Sequence, residues 1–231
     1  MQQNVYALSQ AEVQERSFVA RVYTWMFAAL VVTGLVALLT ASSEEMVKAV
    51  FGNQVVLIIL VVAQLGLVFV LAAAIHRLSP ATATFLFFLY AALNGLILAV
   101  IFLIYTSGSI AMTFFATAGA FGAMALYGHI THRDLTSIGN LCFMGLIGIV
   151  IASIVNFFLH SSGLYWAITY IGILVFVGLT AYDAQKIKTI GQQVQAGSDA
   201  GRRAAVLGAL TLYLDFINLF LLLLRLMGRR R

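Results

Sequence analysis

The sequence predicts an all-α integral membrane protein with seven transmembrane helices. Three observations predict it: an extreme apolar composition, runs of about 20 residues with almost no charge, and basic residues gathered at the ends of those runs. Of 231 residues, 62% are hydrophobic and 9% charged, and the mean hydropathy is +1.02. A water-soluble core of this size cannot hide so much apolar surface. No polar stretch is long enough to fold separately, so the whole chain, 1–231, reads as one transmembrane domain.

A helix needs roughly 20 apolar residues to cross about 30 Å of hydrocarbon, so the spans can be counted. A polar arm, 1–18, precedes them and carries Glu12 and Glu15. It lacks the basic start and short apolar core of a cleaved signal peptide, so the first segment is expected to stay as a helix. The run from Val22 to Ser43 gives the first span, at about 19–41. The second, 55–75, ends at His76 and Arg77. From Leu78 to Gly128 there is neither charge nor histidine, which is too long for one crossing. Ser79-Pro80 predicts a capped helix start, because serine accepts from the first turn and proline is tolerated at the first helical position. Tyr105 to Ser109 predicts the break and a new N-cap. The third and fourth spans are therefore 80–104 and 109–128, and the remaining runs give 137–159, 164–185 and 204–225. The most polar stretch, Asp183 to Arg203, reads as a linker.

The net charge of +5 would suggest nucleic acid for a soluble protein. Here the basic residues flank apolar runs, so they read as topology signals and headgroup anchors, and no nucleic-acid partner is expected. With seven spans, the N-terminus and the second, fourth and sixth loops share a side. They carry Arg16, Arg21, Arg77, Arg133, Lys186, Lys188, Arg202 and Arg203, against Lys48 alone opposite. The N-terminus is therefore expected in the cytoplasm. Arg225, Arg229, Arg230 and Arg231 conflict with this, and a last helix that re-enters instead of crossing would remove the conflict.

Asp215 carries the strongest functional signal, because it lies in the middle of the otherwise uncharged run Ala204 to Leu224. A carboxylate at that depth costs about 2.5 to 3.5 kcal/mol on insertion scales, so it faces a partner or water, or stays protonated against a neighbouring helix. Asp183 reads alone either as an interfacial acid answering Lys186 or as a partner of Asp215. The second reading requires the sixth helix to continue a turn or two beyond Tyr182. Two carboxyls in a low dielectric would then share a proton and titrate as a pair. Arg77 is either a snorkelling anchor or the counter-charge to that pair. Asn218 follows Asp215 by one turn. With Tyr213, Gln64, Asn94, Asn140 and Asn156 it could line a wet path or bond between helices. Ala118 with Gly122, and Gly119 with Ala123, have helix-contact spacing, although membrane spans carry such pairs by composition alone. His129 and His132, beside Arg133 and Asp134, form a weak metal signal with no further ligand. Cys142 has no cysteine partner and reads as packing.

The strings Ala181-Tyr182-Asp183-Ala184-Gln185-Lys186-Ile187 and Leu212-Tyr213-Leu214-Asp215-Phe216-Ile217-Asn218-Leu219-Phe220 resemble the Bax inhibitor-1 family of membrane proteins in its bacterial branch. Tyr127-Gly128-His129 through Gly139-Asn140-Leu141, with Asn156, is similar to the family's signature region. The resemblance implies a seven-transmembrane-helix bundle with the last helix central, in the inner membrane of a bacterium. It also implies, for some members, a pH-dependent calcium leak. In that scheme the acids matching Asp183 and Asp215 are the proton sensor, touching calcium transiently, and Arg77 matches an arginine that latches the closed state.

Three readings follow. The first is a passive cation pathway, with calcium as permeant ion, protons as regulator and no resident cofactor. The second is a regulator that transports nothing and binds a membrane-bound protease or other membrane protein through the Met1 to Arg16 arm. The third, an intramembrane aspartyl protease, fits poorly. Leu212-Tyr213-Leu214-Asp215 stands where G-x-G-D is needed, and Pro80, the only proline, cannot supply the later P-A-L element. Phosphate-loop, serine-elbow and paired C-x-x-C motifs are absent too, so no enzyme is expected.

Overall fold

A computed structural model describes residues 2–195 and 197–231, with the side chains of 2–11 outside that description. Met1 and the side chains at the start of the proposed partner-binding arm therefore lie outside the described residues. The described chain is helical: α1 Gln2–Ala41, α2 Glu44–Phe51, α3 Gln54–Ala74 followed by a 3-10 turn Ile75–Arg77, α4 Pro80–Ile104, α5 Ser107–Ile130, α6 Thr136–Leu159, α7 Ser162–Gln193 and α8 Asp199–Met227. All but α2 are long and apolar enough to cross a membrane. Local chemistry sets several boundaries. The Ser79 hydroxyl accepts from the Thr82 N–H with Pro80 in the first turn, and the Thr106 hydroxyl accepts from the Ser109 N–H. The short α2 follows Ser43, which caps it, with Glu44 and Glu45 in its first turn.

Burial separates the helices. In α8, 61% of the most apolar stretch is buried, against 6% in α3 and in α6. The last helix is thus the central one, and α3 and α6 turn their side chains outward, as lipid-facing helices do.

The chain forms two compact units. The first comprises Met1–Tyr105, Lys188–Tyr213 and Arg231, and the second Thr106–Ile187 and Leu214–Arg230. In the first, α1 packs along α4. A side chain at Gly95 would fall 2.7 Å from the Thr33 carbonyl oxygen, so glycine is what lets these backbones approach. In the second unit, Gly128 of α5 lies against the Ala181 carbonyl of α7, and Gly139 of α6 lies under the Tyr182 ring.

Three expectations change. The stretch Asp183 to Arg203 is not a linker: α7 runs to Gln193 and α8 begins at Asp199. Its charges are carried on helix ends, where Gly191 packs on Phe18 and Gln192 donates to Glu15 at 2.8 Å. The re-entrant last helix is also excluded. Arg203 near the start of α8 donates to the Leu78 carbonyl just before α4, whereas the Arg231 N–H donates to the carbonyl of Ile104, the last residue of α4. α8 therefore runs the full length of α4, and its 29 residues extend about 43 Å. Finally, Gly119 and Gly122 have open space where a side chain would stand. The buried face of α5 is instead Thr113, Thr117, Phe121, Ala125 and Gly128.

Candidate functional site

Asp183 and Asp215 both lie in the second unit. α7 continues past Tyr182 for two turns and more, which meets the condition for the acids to meet. Asp183 is 9% exposed and Asp215 5%, and their carboxyls contact each other through a side-chain hydrogen bond. A hydrogen bond between carboxyls needs a proton on one of them. Oδ2 of Asp215 is buried with no partner among the described residues, an expensive arrangement for a carboxylate.

The residues around Asp183 explain its position. Ala181 and Ala184 are buried at 3% and 2% exposure, and the first packs against Gly128 of α5. Gln185 fixes the next turn: its Oε1 accepts from the Leu135 N–H at 2.9 Å, and its Nε2 donates to the Arg133 carbonyl at 2.8 Å. One side chain thus ties α7 to the link between α5 and α6. Lys186 supplies the nearby positive charge on Asp183 and lies 5.8 Å from the centre of the Tyr182 ring. Asp215 is followed by Phe216, which packs edge-on against Phe114 and Phe121 of α5, both at 5.5 Å. Aromatic packing on one side and a glycine contact on the other therefore hold the two acids in an apolar surrounding.

The other expected site residues fall elsewhere. Asn218 donates to the Leu214 carbonyl in its own helix. Tyr213, in the first unit, is fully buried. Thr33 gives its hydroxyl proton to the Ala91 carbonyl, so across the 2.7 Å contact the Tyr213 hydroxyl donates to Thr33 and accepts from Asn94 Nδ2 at 2.8 Å. Arg77 is exposed after α3. Asn156 accepts from the Ser161 N–H and closes the turn after α6, and Asn140 is exposed. Gln64 keeps a buried amide nitrogen without a partner among the described residues. Cys142 packs its sulfur against Gly178. Among the described residues no group of three or more His, Cys, Asp or Glu could hold a metal. Sequence reasoning missed Gln185, Gly128 and Gly139. The signal available for the glycines was their place within otherwise bulky helical runs.

The family model described as inhibitor of apoptosis-promoting Bax1 matches residues 15–231. The chain is 55% identical over 217 residues to the inner membrane protein YbhL of Escherichia coli strain K12, covering 94% of this chain and 93% of that protein. It is 44% identical to a Borreliella burgdorferi protein, covering 94% of each. It is 34% identical to a Streptococcus pyogenes membrane protein, covering 96% of each.

Proposed function

Because the chain belongs to the Bax inhibitor-1 family of membrane proteins, we propose that it is a passive cation pathway, for calcium, gated by protons at the pair Asp183 and Asp215. We place it in a bacterial inner membrane with its N-terminus cytoplasmic, from its likeness to YbhL and from the basic loops. The observation that carries the reading is the contact of two buried carboxyls with one oxygen left unpartnered among the described residues. Two unit charges 4 Å apart oppose each other by about 4 kcal/mol at an effective dielectric of 20. The pair must therefore hold a proton or a cation, and these compete for the same oxygens.

Calcium prefers hard oxygen ligands, and two carboxylates completed by water and carbonyls bind weakly enough to release it. The sign of the gating is taken from the family resemblance. An ionised acid at Asp183 favours the closed form, whereas a protonated one releases it. Protons then favour the open form by binding it better, so flux rises as pH falls.

The test is calcium uptake into liposomes that contain only this protein, across a pH series. Wild type should show a pH-dependent flux that Asp183→Asn with Asp215→Asn removes. Unchanged flux and pH dependence in that variant would sink the proposal. No flux at any pH would favour the regulator that binds a membrane-bound protease.

A further inference from the structure

Three helices of the first unit begin their apolar runs around one cleft. Arg21 stands one residue before the run of α1, Pro80 opens α4, and Arg202 stands two residues before the run of α8. The cleft has a volume of about 620 Å³, and these residues line it together with Trp25, Thr84, Phe85 and Val206. That volume lies within the roughly 300–1,000 Å³ of ordinary ligand pockets.

Its chemistry divides in two. At one end the guanidinium groups of Arg21 and Arg202 stand among the lining residues, beside the N-terminus of a 25-residue helix that opens on proline and whose positive dipole end favours an anion. Arg202 is exposed there and Arg21 partly so. At the other end the walls are apolar. Val206 is buried, Trp25 rests on Phe88 with ring centres 5.4 Å apart, and Phe85 is 65% exposed, leaving that side open to the hydrocarbon. Planar guanidinium groups suit the paired oxygens of a phosphate. Arginines at the start of an apolar run lie at headgroup depth, and an aromatic wall below them lies at the first acyl carbons. A free phosphate would satisfy only the first half of this surface.

We propose that the cleft binds an anionic glycerophospholipid, with its phosphodiester between Arg21 and Arg202 at the N-terminus of α4 and an acyl chain along Trp25, Phe85 and Val206. The site is independent of the acidic pair, and it gives the lipid a fixed seat where α1, α4 and α8 meet.

The experiment is thermal unfolding of the full chain in a mild detergent, titrated separately with phosphatidylglycerol, phosphatidylcholine and inorganic phosphate. Phosphatidylglycerol should raise the melting temperature saturably, and the other two should not do so at equal concentration. The double variant Arg21→Ala with Arg202→Ala should need at least tenfold more phosphatidylglycerol for the same shift, while Arg133→Ala should match wild type. Ala81→Glu decides the matter if the double variant does not fold. An acid in a first helical turn is favourable for the helix, yet it places a negative charge in the cleft, so this protein should melt normally and lose the response. The proposal is overturned if Ala81→Glu keeps the full response, or if phosphatidylcholine or phosphate stabilises wild type as well as phosphatidylglycerol does.

Discussion

Two buried polar clusters lie two residues apart along α8, at Tyr213 and at Asp215, and they are finished differently. Around Tyr213 its own hydroxyl, the Thr33 hydroxyl and the Asn94 amide donor all have partners, with the rings of Phe87 and Tyr90 edge-on at 5.9 and 5.8 Å. The cluster is neutral, so no change of pH near neutrality alters it. Around Asp215 the partner is another acid, and one oxygen has none among the described residues. A satisfied network makes a structure specific, whereas an unsatisfied pair of acids stores a response to protons or cations. The difference teaches which buried polar group to treat as structure and which as a site.

The contrast can be attacked first through the packing that brings the acids together. Gly128→Ala pushes a methyl group into the Ala181 carbonyl, which is backbone and cannot turn aside. It should cost about 3 kcal/mol, read by thermal unfolding in detergent, and should disturb the pH response because Asp183 is two residues on. Normal stability would mean that α5 and α7 are not in tight contact there. Next, Tyr213→Phe leaves the Asn94 amide without its acceptor and Thr33 without its donor. A loss of about 1–3 kcal/mol is expected, with the pH dependence of flux intact. A shifted pH profile would show that the Tyr213 cluster belongs to the sensor after all.

The smallest effect lies outside the spans. The hydroxyl and the backbone N–H of Thr136 hold the Asp134 carboxyl below its usual range, the N–H at 2.9 Å. A lowered folded value means that this stabilisation is complete above about pH 4 and fades as pH falls through that value. Asp134→Ala should therefore melt slightly lower than wild type at neutral pH, and the gap should close on strong acidification. A gap that persists in acid would assign the effect to packing.

Much of this was legible in the residues, where the cause was local. Ser79 with Pro80 and Thr106 cap their helices by contacts within one turn, so composition and spacing located the ends of α4 and the start of α5. The depth of Asp215 likewise follows from the apolar run around it. What was not legible depended on neighbours distant in sequence. The charged stretch after Asp183 read as a linker, yet the contacts of Gly191 with Phe18 and of Gln192 with Glu15 accompany a helix that continues there. The small residues of α5 suggested the wrong face, because open space and close packing look identical in a string of glycines and alanines. The eight-residue α2 is too short to register as a span, although Ser43, Glu44 and Glu45 marked its start.

The claim at the centre is that the carboxyls at Asp183 and Asp215 set the response to pH while the cluster at Tyr213 only holds the helices. It is tested most directly by calcium flux into liposomes across a pH series for Asp215→Asn beside Tyr213→Phe. The account predicts that Asp215→Asn stays folded and loses the pH dependence, and that Tyr213→Phe keeps it at reduced stability. A pH dependence that survives Asp215→Asn unchanged would contradict it.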